Sequence, residues 1–214
     1  MTRPLLITDC DEVLLHMVVH FGAWLDESHD IDFSLGADHD FSRALTRRPG
    51  GEPVAQQDIW PLLDGFFATE MHRQTLAPHA ADALAAIARI ADVVVLTNLL
   101  DHCHAARVAQ LEAVGIRHRV VCNQGGKGLR VRALIDEYRP STTVFVDDLP
   151  QHHESVAEHA PEAWRLHMIV EPILAPIIGP APFAHARIDD WRDAETWIAG
   201  RMAGETAATI APGV

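Results

Sequence analysis

Lysine is almost missing: the 214-residue chain has one, Lys127, and every other basic side chain is arginine. Cysteine is scarce too. Cys10, Cys103 and Cys122 are odd in number and lack metal-like spacing, which argues against a disulfide framework and for reduced thiols. No apolar run approaches the roughly 20 residues a membrane span needs. The N-terminal stretch meets Asp9 after only Leu5, Leu6 and Ile7, too soon for a secretory h-region. A cytoplasmic protein is therefore expected. Positive charge is also short, 17 basic against 30 acidic side chains and a formal net charge of −13. Such a field repels nucleic acid and anionic membranes, so neither is an expected partner. An acidic protein that takes a phosphorylated substrate needs a cation in its site. Oligomeric state is not written in these features.

What is present is ordinary globular composition, 48% apolar and 22% charged, in a length that suits one core domain with a sizeable insertion. Short apolar runs alternate with helical periodicity, as in an α/β protein with a parallel sheet. Leu5–Thr8, Asp92–Thr97, Arg119–Cys122, Thr142–Val146 and Arg165–Val170 are the five expected strands. Asp101 is placed to cap a helix bearing Ala105, Val108 and Leu111 that Gly115 stops. Pro140 ends another with Val131, Leu134, Ile135 and Tyr138, and Asp190 caps a last one with Trp191, Ala194, Trp197 and Ile198. Residues 13–76 break the rhythm. They hold no convincing strand, a loop-like Arg47–Pro53 and an apolar segment around Trp60, Leu62, Leu63, Phe66 and Phe67, and read as a small helical insertion. The expected organisation is a core of residues 1–12 and 77–202, a helical cap of residues 13–76, and a flexible tail of residues 203–214.

Three expected strands end in polar groups capable of chemistry: Asp9-Cys10-Asp11, Thr97-Asn98 and Asp147-Asp148. In open parallel sheets ligands sit beyond the carboxyl ends of the strands, so these groups should share one crevice. Two unit charges about 4 Å apart repel by roughly 4 kcal/mol at an effective dielectric near 20, so four gathered carboxylates need a counter-charge. A magnesium ion with oxygen ligands supplies it. The Thr97 hydroxyl and the backbone N–H groups after it, at Asn98, can donate to phosphate oxygens. Lys127, in Gly125-Gly126-Lys127-Gly128 at a helix start, adds positive charge.

These four ordered motifs, an apolar strand with Asp-x-Asp-x-Val, an apolar strand with Thr-Asn, a downstream lysine and an apolar strand with Asp-Asp, resemble the haloacid dehalogenase superfamily over residues 5–170. The resemblance implies a Rossmann-like sheet of about five parallel strands in the order 3-2-1-4-5, with a helical cap inserted between the first two motifs. It implies a phosphatase or phosphotransferase acting on a small phosphorylated metabolite through an aspartyl-phosphate. Asp9 would attack phosphorus, and Asp11 would serve as acid and then base, its main-chain carbonyl also meeting Mg2+. Thr97, Asn98 and Lys127 would hold the phosphoryl group. Asp147 would ligate the metal, with Asp148 beside it as second ligand or as orienter. Where many members carry Gly after the second aspartate, this chain has Glu12, which adds a charge beside the site.

His16 and His20 lie four apart, a spacing that can serve zinc, but no protease glutamate accompanies them. His102, Cys103, His104, His152 and His153 flank the motifs and read first as helix-start polar residues. Arg43, Arg47 and Arg48 read as a solvated face as readily as an anion contact. A dehalogenase would leave Asp11 and the Asp147-Asp148 pair unexplained, and a phosphonatase would want a lysine in the insertion, where none exists. A receiver domain has its acidic pair first rather than last. A catalytically silent binding protein on the same scaffold is the remaining alternative.

Overall fold

The computed structural model describes residues 2–34 and 43–204. From residue 205 onward the expected flexible tail lies outside the described residues, as do residues 35–42 of the insertion. In chain order the elements are β1 (Leu5–Thr8), β2 (Leu15–His16), α1 (Val18–His29), β3 (Ile31–Phe33), β4 (Leu45–Arg47), β5 (Glu52–Pro53), α2 (Gln56–Thr69), β6 (Thr75–Leu76) and α3 (Ala80–Ile87). There follow β7 (Asp92–Thr97), α4 (His104–Ala113), β8 (Arg119–Cys122), α5 (Gly128–Tyr138), β9 (Thr143–Asp147), α6 (Pro150–His159), β10 (Trp164–His167), β11 (Ala186–Arg187) and α7 (Trp191–Met202).

The core sheet is parallel and ordered β11-β10-β9-β1-β7-β8. The five expected strands stand in the expected order with β1 between β7 and β9, and β11 extends the edge as a sixth. Its two residues carry no apolar run to announce it. Alternating side chains leave each strand toward opposite faces. Leu6, Val93, Val95, Val144 and Val146 pack with residues of α3 and α7, while Leu5, Ile7, Val94, Leu96 and Phe145 pack with residues of α5 and α6. Burial on both faces is why these strands read as unbroken apolar runs. The fifth strand stops at His167 rather than Val170, because the Ile169 N–H turns to the Asp189 carboxylate at 2.9 Å.

The insertion departs from the expected mostly helical cap without a convincing strand. It holds α1 and α2, but β3, β4 and β5 form a three-stranded antiparallel sheet with Phe33 opposite Leu45 and Arg47 opposite Glu52. The stretch read as a loop, Arg47–Pro53, supplies part of that sheet. Strands of two or three residues give no period in a sequence; backbone bonds between segments make them. Phe21, Trp24, Leu25, Ile59, Phe66 and Phe67 cluster together with Leu99 and Cys103 of the core, with the Phe21 and Phe66 rings edge to face at 5.4 Å, whereas Trp60 faces solvent. Where the chain leaves and re-enters the core, β2 and β6 pair antiparallel, Leu15 opposite Leu76.

Two helix starts behave differently. Asp190 caps α7, its Oδ1 accepting from the Arg192 N–H at 2.8 Å. Asp101 makes no cap bond; a 3₁₀ turn over Asp101–Cys103 precedes α4 instead. At the start of α5, a Cβ on Gly128 would lie 2.0 Å from the Ser155 carbonyl oxygen. Only glycine permits α5 to come this close to α6, and that approach seats Lys127 inside the protein.

Candidate active site

The register of the sheet sets the chemistry side by side. Thr8 pairs with Val95 on one flank and Val146 on the other, and the Asp9 N–H continues the ladder to the Val146 carbonyl at 2.8 Å. Asp9, just past β1, and Asp147, the last residue of β9, therefore stand next to each other at the carboxyl end of the sheet. Lys127 Nζ, with no exposed surface, lies 2.7 Å from Asp9 Oδ1 and 2.7 Å from Asp147 Oδ2. The other Asp147 oxygen accepts from the Leu149 N–H at 2.9 Å, which fixes the carboxylate plane. Asp9, Asp147 and Asp148 each offer an oxygen within 4.8 Å of the others.

Three carboxylates thus face one ammonium. Burial pushes Asp9 up from the usual carboxylate range, Lys127 pulls it back and Asp147 adds to the rise. Burial and the charges of Asp147 and Asp9 push Asp148 well up. Burial pulls Lys127 down, but Asp147 and Asp9 outweigh it and hold the ammonium charged. Excess negative charge on convergent hard oxygens fits a magnesium-sized cation.

Asp11 is placed apart from this cluster. Its carboxylate accepts from one Arg107 guanidinium nitrogen at 2.9 and 3.0 Å and from Gln74 Nε2 at 2.6 Å. Thr97 Oγ1 stands 3.5 Å from it, so the two sequence-predicted residues adjoin. Arg107 is fully buried and also donates to Cys10 Sγ at 3.1 Å. Burial pulls its guanidinium down and Asp11 more than restores it. Asn98 is exposed; its amide nitrogen donates to the Gly125 carbonyl at 2.9 Å, bracing the loop ahead of Lys127.

Arg107 and Gln74 escape a motif reading. The only signal for Arg107 is its position four residues before the buried Leu111, on the core face of α4, where an arginine is out of character. Gln74 follows a 3₁₀ turn and has no pattern at all.

The histidines divide. His104 is within 3.1 Å of the Val120 carbonyl and His102 within 3.4 Å of Asp64, both outside the cluster. Arg47 pairs with Asp58, and Arg48 with Asp26 and Asp32, so both arginines are used within the insertion. His152 and His153 are buried on α6 rather than exposed at its start. His153 Nε2 is 3.0 Å from the Asp147 carbonyl oxygen, its ring edge-on to Phe145 and His167, and its Nδ1 has no partner among the described residues. Burial lowers it to about 3. The unfolded chain therefore binds a proton that the folded protein refuses between about pH 6.5 and 3, and stability falls as pH drops through that window. The slope is about 1.4 kcal/mol per pH unit for such a group. In EDTA, the fall in urea midpoint on acidification should be shallower in His153→Asn than in the parent; parallel curves would rule out this histidine as the source.

No family model and no curated protein sequence matches this chain. Solved structures do. A haloacid dehalogenase-like hydrolase from Burkholderia xenovorans LB400 is 12% identical, with TM-score 0.61 over 94% of this chain and 99% of its own. A HAD-hydrolase from Bacillus subtilis bound to magnesium is also 12% identical, TM-score 0.61, covering 93% and 100%. A predicted phosphoglycolate phosphatase from Haemophilus somnus is 15% identical, TM-score 0.58, covering 91% and 97%. Dehalogenases are similar as well. At such identities the likeness shows a shared fold, that of the haloacid dehalogenase-like hydrolases.

Proposed function

We propose that this chain, built on the haloacid dehalogenase-like fold, is a magnesium-dependent phosphatase or phosphotransferase acting on a small phosphorylated metabolite through Asp9. The reading rests above all on the Lys127 ammonium held at 2.7 Å from both Asp9 and Asp147, with Asp148 alongside. Asp9, Asp147, Asp148 and the Asp11 main-chain carbonyl would hold Mg2+, which when bound neutralises charge on the phosphoryl oxygens.

The chain's own groups divide the rest of the chemistry. An Asp9 oxygen attacks phosphorus, and the bond to the leaving oxygen breaks. Asp11 gives that oxygen a proton, then takes one from the water that attacks phosphorus and releases Asp9, a role worth about 10²–10⁴-fold. Arg107 and Gln74 fix the direction of the Asp11 carboxylate. Lys127, Thr97 and the N–H groups at Asn98 balance the phosphoryl charge.

Dehalogenation is the rival reaction on this fold. Halide departure takes no proton, so it leaves the Arg107-oriented Asp11 and the Asp147-Asp148 pair without a use. Release of inorganic phosphate from a nitrophenyl ester should require Mg2+ and stop on chelation. Activity that survives EDTA unchanged, or halide release from a 2-haloacid without phosphatase activity, would overturn the proposal.

A further inference from the structure

We propose that Glu12, His16 and Glu171 form a second cation site, separate from the three-aspartate cluster, that takes a divalent transition-metal ion of the zinc class. Each residue offers a ligand atom within 4.8 Å of the other two. Glu12 and Glu171 are 3% and 4% exposed, so both carboxylates are nearly cut off from water.

One Glu12 oxygen is used as a remote cap of α1, accepting from the Met17 and Val18 N–H groups at 2.8 and 2.6 Å. The other oxygen is buried without a partner among the described residues. A buried carboxylate oxygen left unsatisfied is costly, and such orphans are rare in folded proteins. Glu12 also adopts φ +58°, a left-handed conformation that is unfavourable for a non-glycine residue. A glutamate kept at a position shaped for glycine, with a free oxygen inside the protein, lacks a structural explanation in the capping bonds alone.

Across from it, His16 Nδ1 and Glu171 Oε2 lie 3.0 Å apart. The proton between them is what a metal ion would displace, leaving a neutral imidazole nitrogen and two carboxylates as ligands. One nitrogen and two oxygens from protein, with a position left open, is a donor set zinc accepts. Magnesium, which seeks oxygen ligands in octahedral geometry, suits the aspartate cluster better. His20, four residues from His16, is hydrogen-bonded with Thr75 Oγ1 at 3.0 Å and stays outside the set. The three ligands come from the loop after β1, from β2 and from the segment after β10. An ion there would fasten the strand that enters the insertion to the core at two points.

Zinc uptake by the full chain, measured by equilibrium dialysis with saturating Mg2+ present, tests this directly. One equivalent of Zn2+ should bind, and it should be lost in His16→Gln and in Glu171→Gln. Asp64→Asn should retain it, since Asp64, His102 and Cys103 form the one other cluster outside the active site, among the described residues, able to compete. X-ray absorption of the zinc-loaded parent should show one imidazole and oxygens, with no sulfur. That measurement decides the matter even if the variants fold poorly. No zinc uptake beside magnesium, uptake unchanged in both variants, or a sulfur ligand would overturn the proposal and leave a hydrogen-bonded network only.

Discussion

Asp9→Asn should leave no measurable turnover, a loss of at least about 10⁴-fold, because an amide oxygen cannot displace a leaving group from phosphorus. The same substitution should not unfold the protein. Asp9 lies beside Asp147 and Asp148, and burial already pushes its carboxyl toward the neutral form. Taking away its charge relieves repulsion and leaves Lys127 paired with Asp147. Unfolding midpoints at or above the parent's, together with absent phosphate release and no phosphoenzyme in the intact mass, are the expected outcome. Turnover within about tenfold of the parent would remove the nucleophile role from Asp9.

Lys127→Met should do the opposite to stability. Methionine fills much of the same volume but leaves three gathered carboxylates without their ammonium. Breaking a fully buried ion pair costs about 3–5 kcal/mol, and loss of a charge that balances the transferring group about 10²–10³-fold in rate. Added Mg2+ should restore more stability to the variant than to the parent, since it takes over the same neutralisation. Lys127→Arg should not rescue either property. A compact ammonium reaches two oxygens at 2.7 Å in an enclosed space, whereas a planar guanidinium needs room beside them. Urea unfolding in EDTA and in Mg2+ measures this; a change under about 1 kcal/mol for the methionine variant would show that the lysine does not hold the carboxylates together.

The part of the fold readable in the sequence is the part buried on both faces. Val93 to Leu96 and Val144 to Val146 must all be apolar, so the central strands stand out as runs, and their polar ends mark the site. Lys127 was conspicuous because arginine replaced lysine everywhere else. Elements too short to show a period were not readable: β3 to β5, whose buried Ile31 and Leu45 stand singly, β11 and the early end of β10. Partners that meet only in space were equally hidden. Nothing local ties Arg107 to Asp11, 96 residues apart, or Glu171 to His16, 155 apart. Polar side chains on irregular segments or on a helix's inner face leave no period to detect.

The pairing of β2 with β6 brings the two ends of the insertion together, His16 opposite Thr75. Seen from the sheet, an excursion of some 60 residues is therefore one long hairpin tip. Relative to a tip of about four residues, its extra closure entropy comes to only about 2.4 kcal/mol, and it brings an apolar cluster around Phe21 and Phe66 that also packs against Leu99 and Cys103. The core can tolerate wide change in the length and composition of that segment while the two ladder positions, Gln74 and the apolar face packed against Leu99 and Cys103 are kept. The excursion can then vary in sequence without moving the strand ends that hold Asp9, Thr97 and Asp147.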